Sequence, residues 1–329
     1  MLRDMMPQFE LYQPDTLENA LKLAKDLDDK GWILAGGYDS LDWFKDRAKR
    51  PEAVIDIGGI ASLKGIRETP EGVEIGALTT LTEIANDPLI KGKYSVLASA
   101  AGHVASPQIR NAGTLGGNLC QDARCWYYRS GVNCYRAGGN SCFADTPQGQ
   151  NREHCLYGAS RCVAVSPSDC GTAAVALDAR VVVHSAAGEK VIPAEEFFIG
   201  PATDITHMTV LKKGEIVTAI RLPKEWAGAK FYFEKVTDRN TWDFALLSVA
   251  AAMIIDGGII KKVRVACGAV ECVPRRLKAV EDAVTGSPQN ADTALLAGKT
   301  AVQGATPLNF NHFKIPLMEN LVRRAIRDA

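Results

Sequence analysis

Seven of the chain's nine cysteines fall between Cys120 and Cys170, and only Cys267 and Cys272 lie outside that window. This crowding constrains the fold more than any other feature, because clustered thiols must be bridged, metal-bound or packed away. A disulfide-stapled secreted protein spreads its pairs through a short chain and carries an export signal. Here the chain runs to 329 residues, and its start, Met1-Leu2-Arg3-Asp4-Met5-Met6-Pro7, shows no apolar signal core and no small-residue cleavage site. A cytoplasmic, reducing location is the expectation, and there clustered cysteines point to a metal or a redox centre. Basic and acidic residues both number 38, for a formal net charge of zero. That balance gives no electrostatic case for nucleic acid or for an anionic membrane. No stretch approaches the roughly 20 apolar residues of a membrane span.

The cysteine-rich segment, about Cys120 to Ser160, is poor in aliphatic residues and rich in Gly, Asn, Arg and Tyr. It is too polar to build its own core and too long for an ordinary connection, so it requires an ordering agent. Regular patterns flank it. Asp15 and Glu18 form a capping box for a helix with Leu17, Leu21, Ala24 and Leu27 on one face. Strands are expected at Trp32–Leu34, Ala53–Ile57, Glu215–Leu222, Phe231–Val236, Leu246–Ile255 and Ile259–Ala269, and Val73–Ala77 alternates as a half-buried strand. Thr82–Ala85 and Val96–Val104 read as helical. Asp256-Gly257-Gly258 is a hairpin turn. Helices follow over Pro274–Val284, with the proline at the helix start, then Ala291–Val302 and Leu317–Ile326. Strands and then helices, without strict alternation, favour an α+β class with a boundary near Pro223–Lys230.

Two glycine turns stand out. Leu34-Ala35-Gly36-Gly37-Tyr38-Asp39-Ser40-Leu41 follows a strand directly, and Asn111-Ala112-Gly113-Thr114-Leu115-Gly116-Gly117-Asn118-Leu119 repeats the device with Thr114 and Asn118 as polar donors. Paired glycines take positive φ and let backbone amides approach a phosphate. A single such turn is ordinary chain punctuation, whereas two with polar neighbours describe a pyrophosphate cradle. Neither is a dinucleotide-fold or P-loop fingerprint.

These turns resemble the two FAD pyrophosphate motifs of the flavoprotein (medium) subunits of the xanthine dehydrogenase and molybdenum hydroxylase family. Cys162-Val163-Ala164-Val165-Ser166-Pro167-Ser168-Asp169 is similar to that family's Ser-Asp element. Lys235-Val236-Thr237-Asp238-Arg239 and Asp243-Phe244-Ala245-Leu246-Leu247-Ser248-Val249-Ala250 resemble the start of its last domain. The resemblance implies a PCMH-type (vanillyl-alcohol-oxidase-like) FAD domain of two α/β subdomains over 1–224 and an α+β CO-dehydrogenase-flavoprotein-like domain over 227–329. It implies FAD contacts from Leu34, Ala35, Gly36, Gly37, Tyr38, Asp39, Ser40, Thr114, Gly116, Gly117, Asn118, Asp169 and Lys235. The chain departs from the pattern at Tyr38, where threonine is usual, and at Gly268-Ala269-Val270-Glu271-Cys272-Val273-Pro274.

Spacing alone leaves the cysteines open between an iron–sulfur cluster, zinc and inert thiols; the absence of a tight C-x-x-C argues only mildly against zinc. The segment at 120–162 is similar to the iron–sulfur insert in the flavoprotein subunits of 4-hydroxybenzoyl-CoA reductase and of some bacterial aldehyde oxidoreductases. By that resemblance Cys125, Cys134, Cys142 and Cys162 hold a [4Fe–4S] cluster, with Cys155 the competitor for the fourth place. Cys120 and Cys170 are expected as small packed residues near the flavin and Cys267 as core. The five histidines form no ligand spacing and default to structural or surface roles. The implied activity is electron transfer in an oxidoreductase, between the [2Fe–2S] clusters of a small partner subunit and a ferredoxin-like or other external carrier. Substrate chemistry would lie on a large molybdopterin subunit, and no catalytic acid, base or nucleophile stands out in this chain. The alternatives are a stand-alone NAD(P)H-dependent flavoprotein reductase on the same fold, similar to UDP-N-acetylmuramate dehydrogenase, and a zinc-stabilised interaction module.

Overall fold

The computed structural model describes residues 6–329; of the N-terminal stretch read for an export signal, Met1 to Met5 lie outside them. Among the described residues three sheets and their helices give a mixed α+β architecture. In the first sheet, β1 (Glu10–Tyr12) and β2 (Gly31–Leu34) both run parallel to a central β3 (Ala53–Asp56). Parallel strands need crossovers, and the helices Leu17–Leu27 and Ser40–Lys45 lie in them. Ala20 and Ala24, one turn apart, share an apolar cluster with Ile55 and Ile57. Thr16 caps the first helix, its Oγ1 accepting from Asn19 N, while Asp15, the expected cap, binds the Asn19 side chain instead. Two adjacent residues compete for the cap, and the extended backbone at Thr16 (φ −128°) decides between them.

The second sheet is antiparallel in the order β4-β5-β8-β6-β7, with β4 at Ile66–Thr69, β5 at Gly72–Gly76, β6 at Arg180–Ser185, β7 at Gly188–Pro193 and β8 at Ile216–Pro223. β5 is buried throughout rather than on alternate residues. Glu74, which should mark a wet face, is enclosed because Arg221 Nε reaches its Oε2 at 2.7 Å and Arg67 pairs with the other oxygen.

The third sheet runs β12-β11-β10-β9, with β9 at Lys230–Val236, β10 at Leu247–Asp256, β11 at Ile259–Gly268 and β12 at Arg275–Arg276. Gly257 and Gly258 (φ 55° and 78°) make the tight turn between β10 and β11. Both faces of β10 are covered. Val249, Ala251 and Met253 pack with residues of the helices Lys278–Val284, Ala291–Ala301 and Lys314–Asp328, while Ala250 and Ala252 join the core that holds the helices Ser95–Gly102 and Asp169–Ala176. The small alanines therefore let the C-terminal region sit against the N-terminal one. Pro274 does not begin a helix: Arg275 and Arg276 pair with β11, and the helix starts at Lys278. Glu195 and Glu281 grip the Arg276 guanidinium and hold that stretch extended.

The cysteine-rich segment contains only the short helix Trp126–Arg129 and one 3₁₀ turn at Tyr135–Ala137. Protein contacts order it from both sides, which the sequence did not suggest. Asp39 accepts from Arg124 at 2.8 Å and from Asp122 N at 3.2 Å. Asn311 Nδ2 donates to the carbonyls of His154 and Cys155, and the fully buried Lys314 Nζ donates to those of Glu153, His154 and Ala269 at 2.8–2.9 Å. Ala144, Cys155 and Val163 add a small apolar core beneath the segment.

Candidate functional site

A cleft of about 1090 Å³ opens along both glycine turns, the segment Ser166–Asp169 and the ends of β9–β11. Gly37 adopts φ 82°, a conformation that disfavours any side chain, and lets the chain leave β2 sharply. At Gly36 a Cβ would lie 2.3 Å from the Ala112 carbonyl oxygen, so the two glycine turns touch. Ala35, Gly36, Gly37, Tyr38, Asp39 and Ser40 line the cleft; Leu34 packs instead in the cluster containing Trp43 and Phe44, and its neighbour Ile33 faces the cleft. The Tyr38 hydroxyl lies 3.5 Å from the Gln108 carbonyl.

Thr114, Gly116, Gly117 and Asn118 line the opposite side. Thr114 Oγ1 accepts from Gly117 N, capping the short helix Leu115–Leu119. Asn118 Oδ1 accepts from Ser168 Oγ (2.8 Å) and Cys170 N (3.2 Å), so the second glycine turn is tied to the Ser-Asp element. Asp169 opens the helix Asp169–Ala176, which Ser168 caps. Its Oδ2 accepts from Lys235 Nζ at 2.6 Å, with side chains 6% and 3% exposed. Burial pushes the Asp169 carboxyl above the usual carboxylate range, and the Lys235 ammonium pulls it back. Ser248 Oγ is buried without a hydrogen-bond partner, Arg129 Nη1 has only the Asp39 carboxylate at 3.8 Å, and both residues line the cleft. Orphaned donors on a wall of glycine amides fit a flavin dinucleotide, whose phosphates and ring edge accept hydrogen bonds.

Sequence reasoning missed Trp242. It stands at the cleft, 64% exposed, at φ 54°, with its backbone N donating to Ala105 O at 2.7 Å; Ala105 is itself at φ 43°. Nothing in the sequence marks two non-glycine residues for positive φ. Cys120 also differs from expectation: it is exposed on the cleft wall, because the helix preceding it ends there, whereas Cys170 and Cys267 are fully buried.

A second, small cavity adjoins the cleft, and Cys125, Cys134, Cys142 and Cys162 all line it. Cys155 packs instead with Ala144 and Val163. Burial raises the Cys125 thiol to about 11 and lifts Cys142 in the same direction. Among the described residues no three His, Cys, Asp or Glu side chains converge to hold a single metal ion; the four thiols stand around the cavity wall. His154 Nε2 lies 3.3 Å from Cys125 Sγ, and burial, aided by Lys314, pushes the imidazole down to about 4. Two buried atoms without partners, His154 Nδ1 and Arg136 Nε, belong to residues on this cavity. Four soft donors, with the unpartnered Arg136 Nε–H beside them, suit an iron–sulfur cluster with its acceptor sulfurs. In the divergent loop, Ala269 lines the cleft, while Cys272 is buried 3.5 Å from Arg136 Nη2 on the cysteine side.

Comparison with known proteins identifies two flavoprotein domains in the chain. The FAD binding domain of molybdopterin dehydrogenases matches residues 7–225, and the CO dehydrogenase flavoprotein C-terminal domain matches residues 232–329. The aldehyde oxidoreductase FAD-binding subunit PaoB of Escherichia coli is 33% identical over 90% of this chain and 91% of its own length. The carbon monoxide dehydrogenase medium chain of Hydrogenophaga pseudoflava is 27% identical over 98% of this chain and 97% of its own. A solved structure of carbon monoxide dehydrogenase from that organism superposes with a TM-score of 0.79, covering 99% of this chain and 98% of the other at 27% identity. No helix among the described residues is long and apolar enough to cross a membrane.

Proposed function

The chain belongs to the FAD-binding medium-subunit family of the molybdenum hydroxylases, a family of oxidoreductases, and from that premise we propose that it carries FAD in the large cleft and a [4Fe–4S] cluster on Cys125, Cys134, Cys142 and Cys162. Its role is electron transfer within a complex, between the [2Fe–2S] clusters of a small subunit and an external carrier of ferredoxin type, with substrate chemistry on a large molybdopterin subunit. The observation that carries the reading is the adjacency of the two cavities: Cys125, His154 and Ala164 line both of them.

FAD converts between two-electron and one-electron traffic, and the cluster relays single electrons. The protein's share is placement. Backbone amides of the two touching glycine turns would hold the pyrophosphate, Asp169 and Lys235 fix the wall between the N- and C-terminal regions, and Ser248 offers its unspent hydroxyl. The four thiols, which line one cavity, would hold the cluster, and Lys314 and Asn311, donating to the His154 carbonyl, hold the loop beside it. A stand-alone NAD(P)H-dependent reductase leaves the cysteine cavity and the C-terminal match without a role.

Protein purified without oxygen should contain one flavin with about four irons and four acid-labile sulfides per chain. Cys162→Ser should lose the iron and keep the flavin, while Cys155→Ser keeps both. Zinc without iron would overturn the cluster, and failure to take up FAD would overturn the cleft assignment.

A further inference from the structure

His154 has no ligand spacing in the sequence, yet it occupies the partition between the two cavities. Its ring is buried, with Nε2 at 3.3 Å from Cys125 Sγ and Nδ1 without a partner. Its backbone is not free to move: Lys314 Nζ and Asn311 Nδ2, both on the C-terminal region, donate to its carbonyl at 2.9 and 3.0 Å. Such a clamp on one loop residue holds the imidazole in place more firmly than the loop could alone.

We propose that His154 is a positioning residue for electron transfer, donating a hydrogen bond from Nε2 to the Cys125 sulfur on the side of the cysteine site that faces the flavin cleft. The inference rests on the cluster reading above. With Cys125 as a thiolate, which only accepts, the shared proton belongs to Nε2; Nδ1 is then a bare acceptor, in keeping with its lack of a partner. Taking up one electron adds negative charge to the cluster and its ligand sulfurs, so a fixed N–H donor stabilises the reduced form more than the oxidised one. Cys125 is also the one assigned cluster ligand on the wall of the large cleft. His154 therefore raises the cluster potential through the ligand that stands between cluster and flavin.

The test is redox potentiometry of the anaerobically purified full chain, read by EPR for the cluster and by absorbance for the flavin. His154→Leu should shift the cluster's equilibrium about tenfold toward the oxidised form, a potential about 59 mV lower for one electron. His154→Gln, which keeps a donor near the Nε2 position, should recover more than half of that shift, and the flavin potential should stay in place in both. An unchanged cluster potential in His154→Leu, or an equal shift in His154→Gln, would overturn the proposal. So would loss of iron with flavin retained, because His154 would then be a ligand. Should neither variant fold, ¹⁵N-histidine labelling of the wild-type protein decides: the reduced cluster should show a weak nitrogen coupling of hydrogen-bond size, and no coupling, or one of ligand size, contradicts the assignment. A wild-type chain without iron and sulfide fails at the cluster reading instead, and iron analysis separates the two failures.

Discussion

Asp169→Asn tests how the N- and C-terminal regions are joined at the cleft. Lys235 Nζ meets three acceptors from three segments: Asp169 Oδ2 at 2.6 Å, His103 O at 3.0 Å and Asp243 O at 3.0 Å. Replacing the carboxylate by an amide leaves a buried ammonium with neutral acceptors only and no counter-charge. Breaking one side of a buried pair costs about 3–5 kcal/mol, and the neutral acceptors left around Lys235 place this case near 3. Lys235→Met strands the carboxylate instead, but Asp169 lies in the first turn of a helix, where the backbone dipole returns about 0.3–1 kcal/mol. Its loss should thus be slightly smaller. The double variant removes both charges together, so its cost should fall short of the sum of the singles by about 1–3 kcal/mol. Thermal unfolding of flavin-free protein, followed by circular dichroism, gives the readout. For a chain of this size about 2 °C accompanies each kcal/mol, which predicts a drop of about 6 °C for Asp169→Asn. A drop under about 1 °C, or strictly additive single and double variants, would refute the view that this pair fastens the two regions.

Two further outcomes follow from the packing. Gly36→Ala should lower flavin content at least tenfold and cost about 1–3 kcal/mol, since the new methyl would press on Ala112 and part the two turns; flavin-to-protein absorbance and a melt check both. Lys314 has a folded pKa pushed down to about 7 by burial, against about 10.4 when unfolded. Between those values the unfolded chain holds more protons, so stability rises with pH. The difference in melting temperature between wild type and Lys314→Met should therefore shift in favour of wild type from pH 7 to 9, and a pH-independent difference would contradict the assignment.

The parts of the fold legible in the sequence are those set by local rules. Gly257-Gly258 between two apolar runs could only be a tight turn, and the first glycine turn of the cleft follows its strand directly, as read. Cys125, Cys134, Cys142 and Cys162, far apart in the chain, line one small cavity. What escaped depends on distant partners. Glu74 signalled a wet strand face, but arginines from two neighbouring strands enclose it. Arg275 and Arg276 looked helical until β11 and two glutamates claimed them. His154 meets Cys125 across 29 residues of irregular chain, and its clamp comes from a helix beginning 160 residues later, at Lys314. No periodicity encodes contacts of that span.

The central claim, that flavin and cluster share this one chain as a relay, is tested most directly by counting electrons. Stoichiometric anaerobic titration of the purified full chain with dithionite should consume about three electrons per polypeptide, two for the flavin and one for the cluster. Cys162→Ser should consume about two, with the flavin spectrum unchanged. A wild-type chain that accepts only about two electrons would contradict the account.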